Sequence, residues 1–168
     1  MIVNSQIYCL DANALIQAWQ KYYSPNFCSD YWKVLNEIGV QGRIFLPEEV
    51  FQEIAKTDDE LSDWLKMSQI PVHKTDGNVI NCWKKILDAN PKHKYLVDNT
   101  KQRSLADPWL ISHALNENAI VVAKEEKVMN PNTNRIKIPN VCDNMGISWI
   151  NDFQFIEDFD IQFTCKLK

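Results

Sequence analysis

The sequence predicts an α/β fold in which helices cover both faces of a central, mainly parallel sheet. Two observations carry this expectation. Short apolar runs at 7–10, 43–46 and 120–123 alternate with amphipathic segments, the order in which strands and crossover helices follow one another in a parallel sheet. The composition is that of a globular chain, 45% hydrophobic and 24% charged with 4 Gly and 7 Pro, which excludes disordered and collagen-like chains. With 168 residues and no internal repeat, low-complexity tract or linker, the chain reads as one domain spanning 1–168.

The elements follow in order. Ile7-Tyr8-Cys9-Leu10 is an apolar run cut off by Asp11, the pattern of a buried strand. Residues 12–19 follow as a helix with Leu15, Ile16 and Trp19 at helical spacing, and 31–38 as a second amphipathic helix stopped by Gly39. Arg43-Ile44-Phe45-Leu46 is the next strand. Pro47 opens a helix at the first-turn position that proline tolerates, and Glu48 and Glu49 complement its N-terminus. Residues 58–67 read as a helix with Leu61, Trp64 and Leu65 on one face, 71–74 as a brief strand, and 78–88 as a helix carrying Val79, Ile80, Trp83 and Leu87. The polar, basic segment 92–103 reads as a loop. A helix over 105–116 and a strand over 120–123 are strongly patterned, whereas 124–135, which contains Asn130-Pro131-Asn132-Thr133-Asn134, reads as a loop or insertion. Residues 136–138, a helix-like 141–145, the apolar 147–150 and a last helix near 153–159 close the chain.

Several function classes fall away on simple grounds. No apolar run approaches the roughly 18 residues of a spanning helix, and the N-terminus lacks the basic and apolar regions of a signal peptide. These features place the chain in the cytoplasm. The five cysteines (Cys9, Cys28, Cys82, Cys142, Cys165) are scattered with no CxxC pair, so they read as reduced thiols in a reducing compartment. The three histidines (His73, His93, His113) also stand alone. His113 follows Asp107 by six residues, does not share its helix face, and reads as a packing histidine. Any bound metal must therefore be held by carboxylates, which favours Mg²⁺ or Mn²⁺ over Zn²⁺. Neither GxGxxG nor GxxxxGK[ST] occurs, which argues against dinucleotide binding and P-loop hydrolysis.

In open α/β sheets ligands bind beyond the carboxyl ends of the strands. Asp11 follows the first strand directly, and Glu125 stands two residues after Val121-Val122-Ala123. Asp107 lies at the start of the helix that leads into that strand, so it reaches the same edge. Glu53 sits at the border of the apolar stripe of the Pro47 helix, with Glu49 one turn earlier as its nearest rival. Four converging carboxylates repel one another and raise their own pKa values. One or two divalent cations relieve that conflict, and such ions can activate water and stabilise the leaving oxygen of a phosphodiester. The formal charge of −4 then loses its weight against a polyanionic partner: setting four of the 22 acids aside balances the 18 basic residues. Lys84, Lys85, Lys92, Lys94, Lys101 and Arg103 could contact a nucleic-acid backbone, against the default of a solvated surface. Trp19, Trp32, Trp64, Trp83 and Trp109 lie in amphipathic helices and read as core or interface before base-stacking platforms. Asp11 and Asp107-Pro108 each also have an ordinary reading as helix caps, with Ser104 an alternative cap for the second helix.

Tyr8-Cys9-Leu10-Asp11-Ala12-Asn13, the segment from Leu46 through Glu53 to Ile54, and Ser104-Leu105-Ala106-Asp107-Pro108-Trp109 resemble the ordered acidic motifs of PIN-domain ribonucleases. Val121-Val122-Ala123-Lys124-Glu125 completes the set. Ile138-Pro139-Asn140-Val141-Cys142 with Met145-Gly146-Ile147 resembles the toxin-type, VapC-like group. The likeness runs from about Ile7 to Ile150. It implies a three-layer α/β/α sandwich and metal-dependent endonucleolytic cleavage of RNA. It also implies Asp11, Glu53, Asp107 and Glu125 as ligands for Mg²⁺ or Mn²⁺, with Asn13 hydrogen-bonding near the metal-bound water. The family further implies an antitoxin partner and, in many members, a homodimer. The chain departs from the pattern where Glu125 replaces an aspartate and Ala123 replaces a hydroxyl residue, so Glu126 and Asp143 compete for the fourth position. Two other functions compete. A haloacid-dehalogenase-like phosphatase would need a second acid where Asn13 stands. The alternative from another class is a catalytically weak PIN-like domain acting by binding a protein or RNA partner.

Overall fold

The computed structural model describes residues 6–97, 105–130 and 134–167. Within them five strands form one parallel sheet: β1 (Tyr8–Leu10), β2 (Ile44–Pro47), β3 (Val72–His73), β4 (Ile120–Val122) and β5 (Trp149–Ile150), in the order β3-β2-β1-β4-β5. Tyr8 pairs with Ile44 on one side of β1 and with Ile120 on the other. The chain winds outward in both directions from β1, so the strand order reverses between β1 and β4. That is the switch point at which open α/β sheets leave a crevice.

Among the described residues eight α-helices surround the sheet: α1 (Ala12–Gln17), α2 (Pro25–Val40), α3 (Glu48–Ala55), α4 (Glu60–Met67), α5 (Gly77–Ala89), α6 (Asp107–Glu117), α7 (Ile138–Met145) and α8 (Asp152–Asp158). The pleat sends neighbouring side chains to opposite faces. Cys9 accordingly reaches the carbonyl of Leu110 on α6 at 3.7 Å, whereas Tyr8 meets Phe155 of α8 edge-on at 5.6 Å between ring centroids. The result is the expected three-layer sandwich. Seven of the eleven residues of α6 are buried, including Leu110 and Ile111, which makes it the central helix of its layer. Its internal polar group is satisfied locally, because Ser112 Oγ donates to the Pro108 carbonyl at 2.6 Å.

The structure corrects four readings. α2 begins at Pro25 rather than near residue 31, with Ser24 as its cap and a break at Cys28, whose φ/ψ of −139°/47° is not helical. Gly39 does not stop α2, which runs to Val40. Its missing side chain instead admits the Ile70 backbone, since a Cβ there would stand 2.9 Å from Ile70 Cα. Residues beyond α1 continue as a π-helical turn (Ala18–Tyr22). The 92–103 segment is not wholly loop: Pro91–Leu96 is a 3₁₀ helix that buries Leu96 and His93. His93 is 0% exposed and held between the Ile86 carbonyl at 2.6 Å and the Asn144 amide at 3.0 Å. Lys101, Arg103 and Ser104 lie outside the described residues. Among the described residues no helix is long and apolar enough to cross a membrane, and all five cysteines are free.

Candidate active site

The site is built where β1 and β4 end. Asp11 continues β1, and its backbone N–H donates to Val122 of β4 at 3.0 Å. Its backbone then opens α1, but its side chain does not cap that helix. The carboxylate is 2% exposed, and Oδ2 is buried with no hydrogen-bond partner. A buried carboxylate without a partner is costly. Burial, followed by the charges of Asp107, Glu125 and Glu53, pushes the Asp11 carboxyl well above its usual range, with the Ala12 N–H pulling the other way.

The structure thus brings four of the sequence-derived candidates into one electrostatic neighbourhood. Asp107 opens α6 and is buried. Glu53 is half-buried on α3 and bears on Asp11. Its rival Glu49 does not, because it accepts the Thr75 hydroxyl at 2.6 Å in a separate network. Glu125 follows β4 and accepts the Ile138 N–H at the start of α7 at 3.2 Å, so it also caps that helix. Asp143 is exposed, paired with Lys127, and accepts the Trp149 indole N–H at 2.8 Å. Glu126 is exposed, and neither it nor Asp143 is among the charges acting on Asp11. Asn13 sits in the first turn of α1 with its side chain exposed.

The donor set is oxygen only, one carboxylate oxygen is orphaned, and the acids repel one another. These properties fit a hard divalent cation such as Mg²⁺ or Mn²⁺. The acids are neighbours in charge rather than a finished cage: among the described residues no three His, Cys, Asp or Glu side chains stand as a preformed metal site.

Two arrangements beside the site carry no local sequence signal, because their partners come from distant segments. Lys124, directly before Glu125, pairs with buried Asp152 at 2.9 Å and lies 4.0 Å from the Tyr22 ring centroid. This fixes the end of β4 against α8 and the π-helical turn. The second is a network on α6. Thr75 Oγ1 stands 3.2 Å from His113 Nε2, and His73 Nδ1 stands 2.7 Å from Glu117 Oε1. The expected packing role of His113 is borne out, since the ring is buried against Phe45 at 6.2 Å.

The family model described as "Domain of unknown function (DUF4411)" matches residues 8–163. No curated protein matches the chain significantly in sequence. Among solved structures, VapBC2 from Rickettsia felis, bound to a DNA fragment from its promoter, is similar at 16% identity and a TM-score of 0.51. That match covers 87% of this chain and 98% of the other. FitAcB from Neisseria gonorrhoeae is similar at 12% identity and a TM-score of 0.50, covering 88% of this chain and 99% of the other. At such identities the likeness is one of fold, and that fold is the PIN-like α/β/α sandwich expected from the acidic motifs.

Proposed function

The chain belongs to the DUF4411 family, and we propose that it is a metal-dependent endoribonuclease with a VapC-like fold, the toxin of a toxin–antitoxin pair. One observation carries this reading. A buried, orphaned Asp11 carboxylate stands at the sheet's switch point under the influence of Asp107, Glu125 and Glu53. An isolated protein gains nothing from such repulsion, whereas a cation-binding centre needs it.

Asp11, Glu53, Asp107 and Glu125 would hold Mg²⁺ or Mn²⁺, and the bound cation would supply an activated water and charge stabilisation at a phosphodiester. The protein's own groups do the rest. Burial and its acidic neighbours shift Asp11 toward its neutral form, so that its carboxyl takes up a proton more readily than a free carboxylate does. Asn13, exposed in the first turn of α1, would hydrogen-bond a water or phosphate oxygen at the mouth of the site. The Lys124–Asp152 pair keeps the backbone leading to Glu125 in place. The antitoxin partner is supported by the two similar folds, whose names denote complexes. A homodimer, a soluble cytoplasmic location and one domain over 1–168 are part of the same reading.

One observation favours the second reading, a catalytically weak domain that works by binding. Glu125 is already engaged at the start of α7, which leaves it less free to serve a cation. Incubation of purified protein with labelled single-stranded RNA in Mn²⁺, Mg²⁺ or EDTA separates the two. Cleavage in Mn²⁺ or Mg²⁺ that stops in EDTA and falls at least a hundredfold in Asp107→Asn is the expected result. Intact RNA under every condition, or equal cleavage by the variant, would sink the nuclease in favour of the binding domain.

A further inference from the structure

Residues 127–130 and 134–136 frame a polar cavity of about 440 Å³ with the 3₁₀ helix and α7. The volume lies within the range of small-ligand sites. Its lining is unusual in kind: five asparagines (Asn90, Asn130, Asn134, Asn140, Asn144) line it, together with cationic side chains. The one acid there, Asp143, is already paired with Lys127, so Arg135 adds positive charge that no acid of the lining offsets. Arg135 is exposed and has no ion-pair partner among the described residues.

Some of these amides serve the protein itself. Asn140 accepts the Val128 N–H at 3.1 Å and donates to the Val128 carbonyl at 3.0 Å, clamping the 127–130 segment to α7. Asn144 donates its amide to buried His93, which orients its carbonyl side. Asn134 is exposed and has no such duty. Met129, 86% exposed, adds a polarizable apolar surface at the rim. Amide groups match the donor and acceptor edges of bases, and cations match phosphates. Unpaired RNA bases are read on those edges, whereas bases within an A-form duplex are not.

One element, α7, reaches both the cavity and the acidic centre. The first turn of α7 offers the Ile138 N–H to Glu125 and, two residues later, the Asn140 amide to Val128. We infer that this cavity is a subsite for a nucleotide of single-stranded RNA, placed to hold a substrate strand beside the acidic centre. The inference rests on the ribonuclease reading for its purpose and on the cavity's chemistry for its ligand.

The test is fluorescence anisotropy with a short labelled single-stranded RNA in EDTA, so that binding is read without cleavage. The expected result is that Asn134→Ala/Arg135→Ala binds at least about tenfold more weakly than wild type. Its salt dependence should be shallower by about 0.7 in log–log slope, the signature of one lost phosphate contact on a single strand. Arg135→Glu should bind more weakly still, and Lys33→Ala, on α2 and paired with Asp30, should bind as wild type. Both altered side chains are exposed, so the fold is spared. Equal binding by Asn134→Ala/Arg135→Ala, losses matched by Lys33→Ala, or no binding by wild type would each overturn the subsite. Arg135-dependent binding without cleavage in any metal would overturn the ribonuclease reading and leave the subsite standing. Metal-dependent cleavage with Arg135-independent binding would do the reverse.

Discussion

At the scale of single residues, His113 shows how burial and local hydrogen bonds fix a protonation state. Thr75 has one hydroxyl proton, and its 2.6 Å contact to Glu49, a carboxylate, takes it. Its contact to His113 Nε2 must then run the other way, with the ring N–H donating to Thr75. The remaining nitrogen, Nδ1, is buried without a hydrogen bond, 3.7 Å from Glu117. Burial lowers the His113 pKa below its ordinary value, against the opposing pull of Glu49 and Glu117 and with a small contribution from His73. A histidine that binds protons less readily when folded stabilises the protein less as pH falls through its unfolded value of about 6.5. His113 should therefore cost wild type stability toward acid relative to His113→Gln when urea unfolding of the two is compared between about pH 7.5 and 5.5. An equal or steeper fall in the variant would contradict the assignment. In the sequence His113 is legible as a packing residue, because it lies off the Asp107 face. Its partners are not legible: Thr75 is 38 residues away and the His73–Glu117 contact spans 44.

At the scale of elements, α2 and the segment after α5 mark where pattern reading gives way to tertiary context. Glycine inside a helix costs about 1 kcal/mol relative to alanine and normally signals an end. At Gly39 the close passage of Ile70 overrides that preference, and the helix continues. Gly39→Ala should therefore lower stability by about 1–3 kcal/mol, despite the better helix propensity of alanine. Urea unfolding checks it, and a neutral or stabilising result would show that Ile70 can retreat. The 3₁₀ helix is hidden for a related reason. Pro91-Lys92-His93-Lys94 looks polar and exposed, and burial of His93 depends on the Ile86 carbonyl together with the distant Asn144 amide. The strands and most of the helices from α3 to α8 are legible from their apolar stripes, and at α4, α5 and α8 the caps Asp59, Asp76 and Asn151 agree with those stripes.

At the scale of the whole molecule, the parallel sheet and its switch point decide which acids meet. Asp11 and Glu125 are readable as site candidates because each follows a strand of the central pair β1 and β4. Asp107 is readable because α6 must begin at the same edge in order to return to β4. Glu53 is different: helical spacing alone leaves Glu49 and Glu53 equally plausible, and only the packing of α3 separates them. The choice among Glu125, Glu126 and Asp143 likewise depends on contacts with Lys127, Trp149 and Ile138 that no local pattern encodes. The central claim is that these acids form a cation site whose repulsion is relieved on binding. Thermal unfolding of wild type and Asp11→Asn, each in EDTA and in Mn²⁺, tests it without relying on activity. In EDTA the variant should melt higher, by about 2–4 °C for each kcal/mol of repulsion removed. Mn²⁺ at a hundredfold excess over its Kd should stabilise wild type by about 2.7 kcal/mol and leave Asp11→Asn nearly unmoved. Equal Mn²⁺ shifts in both proteins, or none in wild type, would contradict the account.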